Sequence, residues 1–383
     1  MNVCPPRPPE PDSSAAGATH EGCPQPRPDW VPPAAGPGFA TWIAQGVSVS
    51  GWSAPHRPLT RAAPDAEALA AGVRARDPVA LARAITLVES NAPRHHAEAQ
   101  RLLALLAGAA GGSWRVGLTG VPGAGKSTFI DVLGQSLVDA GKRVAVLAVD
   151  PSSSITGGSL LADKVRMVRL ARSPAAFIRP SPSGGALGGV ARKTREAILL
   201  CEAAGYDVVL VETVGVGQNE VAVRALVDCF VVLLLAGAGD ELQGLKKGVM
   251  ELADLLVVHK ADGDNRLRCL AAQADLRRVV HYLPAATRGW VTPVLLASSV
   301  TNEGVGDVWR TVEDFVRTTQ AEGIFAERRR LQAVAALHAL VDEGLRRRFL
   351  ADARVQAELA RQEQAVADGT RTPLSAALAV LGP

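Results

Sequence analysis

The sequence predicts an α/β protein: a doubly wound, mostly parallel sheet flanked by helices, with a helical arm at each end. Three observations carry this. Between Trp114 and about Val300, short β-branched runs alternate with longer stretches of helical periodicity. Those runs are apolar almost throughout, as in strands buried on both faces of a parallel sheet. Before and after this region the apolar residues recur at helical rather than strand spacing. Alternating β and α elements with right-handed crossovers then give the doubly wound arrangement.

The predicted strands are Arg115–Thr119, Val144–Val149, Val208–Glu212, Phe230–Leu235, Leu255–His259 and Val294–Ala297. Upstream, helical signals begin near Asp65. Asp77-Pro78 is an N-cap followed by proline at the first helical position, and Leu81, Ile85 and Val88 continue the pattern. Leu102, Leu103, Leu105 and Leu106 mark a second helix before the break at Gly108 to Gly112. Beyond Asp307 the chain reads as helix to its end. Leu331, Val334, His338, Val341 and Leu345 form a narrow seam suited to another helix, in the same subunit or in a second copy. Arg328–Arg330 and Arg346–Arg348 share a face of this helix and read as a solvated basic surface.

The first sixty residues hold 13 of the 25 prolines, so this stretch lacks the apolar surface to offset its ordering entropy and is expected to be disordered. Its acidic residues Glu10, Asp12 and Glu21 and its lack of an apolar core argue against a targeting peptide. The expected organisation is a Pro-rich segment over 1–62, an N-terminal helical arm over 63–112, a nucleotide-binding domain over 113–306 and a C-terminal helical arm over 307–383.

A formal charge of +3 gives no reason to expect a nucleic-acid partner, and no apolar run reaches the ~18 residues of a bilayer span. The five cysteines, Cys4, Cys23, Cys201, Cys229 and Cys269, form no C-x-x-C pair and read as reduced thiols in a cytoplasm. The histidines do not cluster as metal ligands, so a metal held by protein groups alone is not expected.

The chemistry lies at the ends of the strands. Gly120-Val121-Pro122-Gly123-Ala124-Gly125-Lys126-Ser127, followed by Thr128, matches G-x-x-x-x-G-K-S between a predicted strand and a predicted helix. That makes the chain a P-loop NTPase. Backbone N–H groups and the helix N-terminus cradle the phosphates, Lys126 reaches the β- and γ-phosphates, and the Ser127 hydroxyl ligates Mg²⁺. Asp150 ends the second predicted strand beside this loop, where it serves the site or caps the turn before Ser152. Asp163 is a further acidic candidate near Mg²⁺ or the attacking water, or else a solvated helix charge.

Glu212-Thr213-Val214-Gly215 has the layout of a GTPase switch with Glu for Asp. Glu212 is placed to bind Mg²⁺ through water, the Gly215 N–H to sense a γ-phosphate, and Gln218 follows in a segment free to reorder. His259-Lys260-Ala261-Asp262 resembles the guanine-reading N-K-x-D motif. Asp262 accepts from guanine N1 and the exocyclic amine, Lys260 lies along the base, and His259 partly replaces the usual Asn. Ser298-Ser299-Val300 stands where backbone N–H groups approach guanine O6. These features favour GTP and GDP over adenine nucleotides.

With Gly120–Thr128, Val149–Ser153, Ala162-Asp163-Lys164, Arg179–Ser183, Leu187–Ala191, Glu212–Gln218 and Leu242–Gly248 considered together, the chain resembles the MeaB/ArgK-type GTPases from roughly Asp77 to Glu343. The resemblance implies a GTPase, a chaperone of adenosylcobalamin-dependent methylmalonyl-CoA mutase or a related acyl-CoA mutase, which gates cofactor loading and rescues inactivated mutase. It further implies a homodimer joined by the C-terminal arm, Asp150, Asp163 and Glu212 around Mg²⁺, and Gln218 and Lys246 in switch segments that respond to the mutase. The sequence departs from the family at Ala162, where Gly is usual, at His259, where Asn is usual, and near Leu337-His338, where a Trp is frequent.

Two other functions fit a chain of this kind. A GTPase for metal insertion calls for a His-rich tract or a Cys/His site beside the phosphate loop, and the sequence has neither. A transport-linked protein kinase calls for H-R-D-x-x-x-x-N and D-F-G elements, which are also missing.

Overall fold

A computed structural model describes residues 65–150, 167–182, 187–213, 219–237 and 247–382. The expectations for the Pro-rich segment, Ala162, Asp163, Gly215, Gln218 and Lys246 fall outside these residues.

Three helices lead into the sheet: α1 (Ala66–Arg74), α2 (Pro78–Glu89) and α3 (Pro93–Leu106). The Asp65 carboxylate caps α1 by accepting from the N–H groups of Glu67 and Ala68, and Asp77 caps α2 by accepting from Val79 N–H, with Pro78 at its first turn. Leu81, Ile85, Val88, Leu102 and Leu106 are buried, as their periodicity requires.

The sheet comprises β1 (Trp114–Gly120), β2 (Val144–Asp150), β3 (Ala176–Pro182), β4 (Val208–Thr213), β5 (Cys229–Leu235), β6 (Leu255–His259) and β7 (Val294–Ala297). Its order is β3-β2-β4-β1-β5-β6-β7, and every pairing is parallel. Six strands coincide with the predicted apolar runs to within one residue at each end. The seventh, β3, went unpredicted because its sequence, Ala-Phe-Ile-Arg-Pro-Ser-Pro, carries two prolines. Proline removes a ladder donor and is tolerated at a sheet edge, and among the described residues β3 pairs only with β2.

The intervening helices are α4 (Lys126–Asp139), α5 (Leu187–Ala203), α6 (Asn219–Arg224), α7 (Lys247–Glu251) and α8 (Arg266–His281). Alternate strand residues feed two apolar layers. Leu147, Val209, Val211, Phe230 and Val232 pack on one side with α1–α3, α5, α6 and α8. Val116, Leu118, Val146, Leu210 and Val231 pack on the other with α4 and with α9 (Val305–Ala321). Through Val308, Trp309, Val312 and Phe315, α9 closes that face of the sheet.

The C-terminal region is not one continuous helix. After α9 come α10 (Ile324–Ala351), α11 (Ala353–Ala367) and α12 (Pro373–Leu381). Asp352 turns extended and caps α11 by accepting from Arg354 N–H, and Thr372-Pro373 restarts the chain as α12. The apolar seam of α10 is exposed in the single chain, Leu331 by 54% and Leu345 by 61%.

The basic face expected at Arg328–Arg330 is overturned in part. Arg328 and Arg329 turn inward onto the domain. Arg329 forks onto Asp228 through Nε (2.7 Å) and Nη2 (2.6 Å), and donates to the Gly111 and Ser113 carbonyls. Arg328 lies 3.5 Å from Asp254 and donates to the Asp228 carbonyl and to the Thr287 hydroxyl. Sequence spacing gave these arginines a common face; their carboxylate partners, about a hundred residues away for Asp228, decide which way that face looks.

Candidate functional site

β1 stands at the centre of the sheet, and the chain moves to one side of it for β2 and β3 and to the other for β5–β7. Ligands in such sheets bind beyond the carboxyl ends of the strands at this reversal. The phosphate loop leaves β1 at that point.

Two glycines make the loop possible. Gly120 has φ +151°, and a Cβ there would lie 2.3 Å from the Leu233 carbonyl oxygen of β5. Gly125 is left-handed at φ +88°, where a side chain is strained, and opens α4. The exposed N–H groups of that helix start, with the positive end of its dipole, are suited to phosphate. Lys126 is buried behind the loop and its Nζ donates to the carbonyls of Gly120 (2.8 Å) and Val121 (3.2 Å).

Next to it the Ser127 hydroxyl donates to Glu212 Oε1 at 2.8 Å. Glu212 comes from β4, opposite Leu118 of β1 and Ala148 of β2. Thr119 and Thr213 join their hydroxyls at 2.7 Å beside it, a cross-strand bond that alignment of two polar strand ends could have suggested. Asp150 ends β2, with its backbone paired to Pro182 of β3. Ser127 and Glu212 are thus together, with Asp150 on the neighbouring strand. The Ser127 hydroxyl and the Glu212 carboxylate at the phosphate end are hard oxygen donors that fit Mg²⁺ with water and phosphate completing its shell.

The base-side loops lie beyond β6 and β7. Ser298 donates its hydroxyl to Asp262 Oδ2 at 2.5 Å, while its oxygen accepts from the N–H groups of Val300 (3.1 Å) and Thr301 (3.2 Å). Asp262 is therefore held by one oxygen, with the second available for a base. Lys260 is left-handed at φ +60°, and its carbonyl accepts from Asn265 Nδ2 at 2.9 Å. Asn265, three residues after Asp262, had no place among the expected site residues; its only sequence signal is an amide just ahead of a helix start. The Lys260 stem passes the phosphate loop, with Cε 3.8 Å from where a Gly125 Cβ would lie.

His259 is placed differently from the expectation that it stands in for amide contacts to the base. Nδ1 is 2.6 Å from the Ala124 carbonyl oxygen and Nε2 is 2.7 Å from Ser299 Oγ, so both ring nitrogens are spent on protein. Ser299 is tied to that ring, while Val300 is 83% exposed at the loop tip. Val121, Pro122, Gly123 and Ala124 complete the loop between β1 and α4, and Thr128 lies in the first turn of the helix. Among the described residues no cluster of three or more His, Cys, Asp or Glu is placed to hold a metal ion.

With this geometry in view, the comparisons with known proteins are direct. The family model described as methylmalonyl-CoA mutase-associated GTPase MeaB matches residues 81–354. The chain belongs to the MeaB family. It is a GTPase. A probable GTPase of Mycobacterium tuberculosis is 50% identical over 315 residues, 82% of this chain and 94% of that one. The GTPase ArgK of Escherichia coli is 49% identical over 263 residues, covering 69% and 80%. The mitochondrial methylmalonic aciduria type A homolog of mouse is 43% identical over 307 residues, covering 78% and 74%. A solved structure titled LAO/AO transport system kinase superposes with a TM-score of 0.66 at 38% identity, covering 81% of this chain and 94% of that one. No described helix of this MeaB-family chain is long and apolar enough to cross a membrane.

Proposed function

We propose that this GTPase is a chaperone of an adenosylcobalamin-dependent acyl-CoA mutase, methylmalonyl-CoA mutase first, and that GTP hydrolysis gates cofactor loading and rescue of the inactivated enzyme. Family membership supports the partner. The observation that carries the hydrolytic half is the Ser127–Glu212 contact beside the buried Lys126. It joins the phosphate loop to the strand that runs into the switch sequence.

In this reading Gly120–Thr128 wrap the phosphates and Lys126 exchanges its loop carbonyls for the β- and γ-phosphate oxygens. Ser127, Asp150, Asp163 and Glu212 surround Mg²⁺, which when bound offsets the charge of the reacting phosphate. Gly215 senses the γ-phosphate. Gln218 and Lys246 belong to the segments that respond to the mutase. Asp262 and Lys260 read and support guanine, with Ser298, Ser299 and Val300 closing the base side. The exposed seam of α10 joins two copies into a homodimer, because a single chain leaves Leu331, Leu337, Val341 and Leu345 in water. The proposed compartment is the cytoplasm.

The test is GTP turnover with and without a purified adenosylcobalamin-dependent mutase from the same cell. Intrinsic turnover is expected to be slow and the mutase to accelerate it at least tenfold. A protein that binds GTP yet is stimulated by no such mutase overturns the chaperone reading and leaves the GTPase standing.

A further inference from the structure

His259 closes β6 where the family pattern carries Asn, and its ring is 2% exposed. The ring lies between two loops far apart in sequence. The Ala124 carbonyl on the phosphate loop, 135 residues away, can only accept, so Nδ1 carries a hydrogen and donates to it. Burial lowers the imidazole below its ordinary pKa; the Ala124 bond and Asp262 oppose that shift, and Lys260 adds to it. The charged groups that act on the ring are Lys260 and Asp262 on its own loop, and Cys269 of α8 donates its thiol to the His259 carbonyl. At neutral pH the ring is therefore uncharged, and Nε2 accepts from the Ser299 hydroxyl, 40 residues away.

Sterics fix the ring as firmly as hydrogen bonds do. Phe129 of α4 meets it edge to face at 5.6 Å. A Cβ on Gly125 would lie 2.9 Å from its Cε1 and Nδ1, so the left-handed glycine and the imidazole are fitted to each other. The ring fills the space under the loop, and neither nitrogen remains for a base.

We infer that His259 is a positioning residue that braces the phosphate loop against the base-side loop, strengthening the binding of purine nucleoside diphosphates alike, while the choice of guanine rests on Asp262. The inference rests on the guanine-nucleotide reading of the site given above. Its physical basis is preorganisation: a loop held in its bound shape before the nucleotide arrives loses less entropy on binding. A brace of this kind acts on the part common to every nucleotide, the phosphates. The Asp262 carboxylate acts on the part that differs.

The test measures Kd for GDP and for ADP on the full chain and four variants. His259→Ala is expected to weaken both nucleotides by the same factor, roughly tenfold for two hydrogen bonds, with the GDP-to-ADP ratio unchanged. His259→Asn, which keeps a donor and an acceptor, recovers most of both affinities. Ser299→Ala removes only the far bond and weakens both about threefold, and it carries the test if His259→Ala does not fold. Asp262→Ala collapses the ratio instead. A ratio that changes more than threefold in His259→Ala or Ser299→Ala makes the residue a base reader and overturns the brace. Unchanged affinity for both nucleotides in folded protein overturns it equally. Equal affinity of the unaltered chain for GDP and ADP would instead sink the guanine reading, leaving the brace to be judged on the common factor.

Discussion

The two ends of the sheet solve opposite problems with the same residue types. At the amino ends of β5 and β6, Asp228 and Asp254 are 1% and 0% exposed, and each is consumed by the protein. Asp228 takes the Arg329 fork and accepts from Arg115 N–H. Asp254 accepts from Phe230 N–H (2.9 Å), Arg224 (3.1 Å) and Thr287, with Arg328 close by. At the carboxyl ends, Glu212 and Asp262 accept from the hydroxyls of Ser127 and Ser298, bonds that can be exchanged for a ligand. A buried carboxylate paired with arginine fixes a joint; a carboxylate bonded to a hydroxyl can trade that bond for a ligand. The first kind roots α10 on the domain, and the second lies at the end of the sheet that carries the phosphate loop.

The largest effect that separates the two ends is expected from Lys126→Ala. Removing the main partner of the β/γ-phosphate charge should lower GTP turnover by at least about 100-fold, in line with the loss of a preorganised charge contact. The thermal midpoint without nucleotide should move much less than turnover does, since Lys126 donates to the Gly120 and Val121 carbonyls within its own loop. Turnover close to that of the unaltered chain would remove Lys126 from the reaction.

The complementary change is Asp254→Ala. It leaves the half-buried Arg224 and Arg328 without their carboxylate, and breaking a pair whose carboxylate is fully buried costs roughly 3–5 kcal/mol. Urea unfolding should show that loss, while the GDP-to-ADP affinity ratio of the protein that remains folded is unchanged. A shift in the ratio without loss of stability would mean that the two ends are not separable.

The same contrast explains what was legible in the sequence. The nucleotide end was legible because backbone chemistry demands particular residues at fixed spacing. Glycine at 120 and 125, lysine at 126 and the carboxylate at 212 each follow a run that had to be a strand. The arm root was not, since Arg328, Arg329, Asp228 and Asp254 are ordinary charges until topology brings them together. Edge strand β3 escaped for a related reason: Pro180 and Pro182 argue against a central strand and are silent about an edge. His259 was seen as a departure at a reading position, yet only the fold shows that its partners are Ala124 and Ser299.

The smallest effect tests whether a titrating group bears on the arm at a second place. A groove of about 420 Å³ between α3, α5 and α10 is lined by Leu103, Arg192, Glu196, Leu340 and Glu343 among others. Burial pushes the Glu196 carboxyl up from its ordinary 4.5 to about 7, Arg192 and Lys193 opposing and Glu343 adding to the rise. Below pH 4.5 the group is protonated whether the chain is folded or not. Between pH 4.5 and 7 the folded chain holds a proton that the unfolded chain has lost. Stability contributed by this group is thus full below that window and falls as pH rises through it. Glu196→Gln keeps the protonated shape and cannot lose the proton. It should match the unaltered chain at pH 4 and exceed it in thermal midpoint at pH 8, by on the order of 2–6 °C for a chain of this size. His259 works in the opposite sense, since its lowered pKa makes stability rise with pH in a window below 6.5, but both proteins carry it, so the difference between their midpoints isolates Glu196. Midpoints of the two proteins that run parallel from pH 4 to 8 would show that Glu196 does not titrate with folding and has no part in holding the arm.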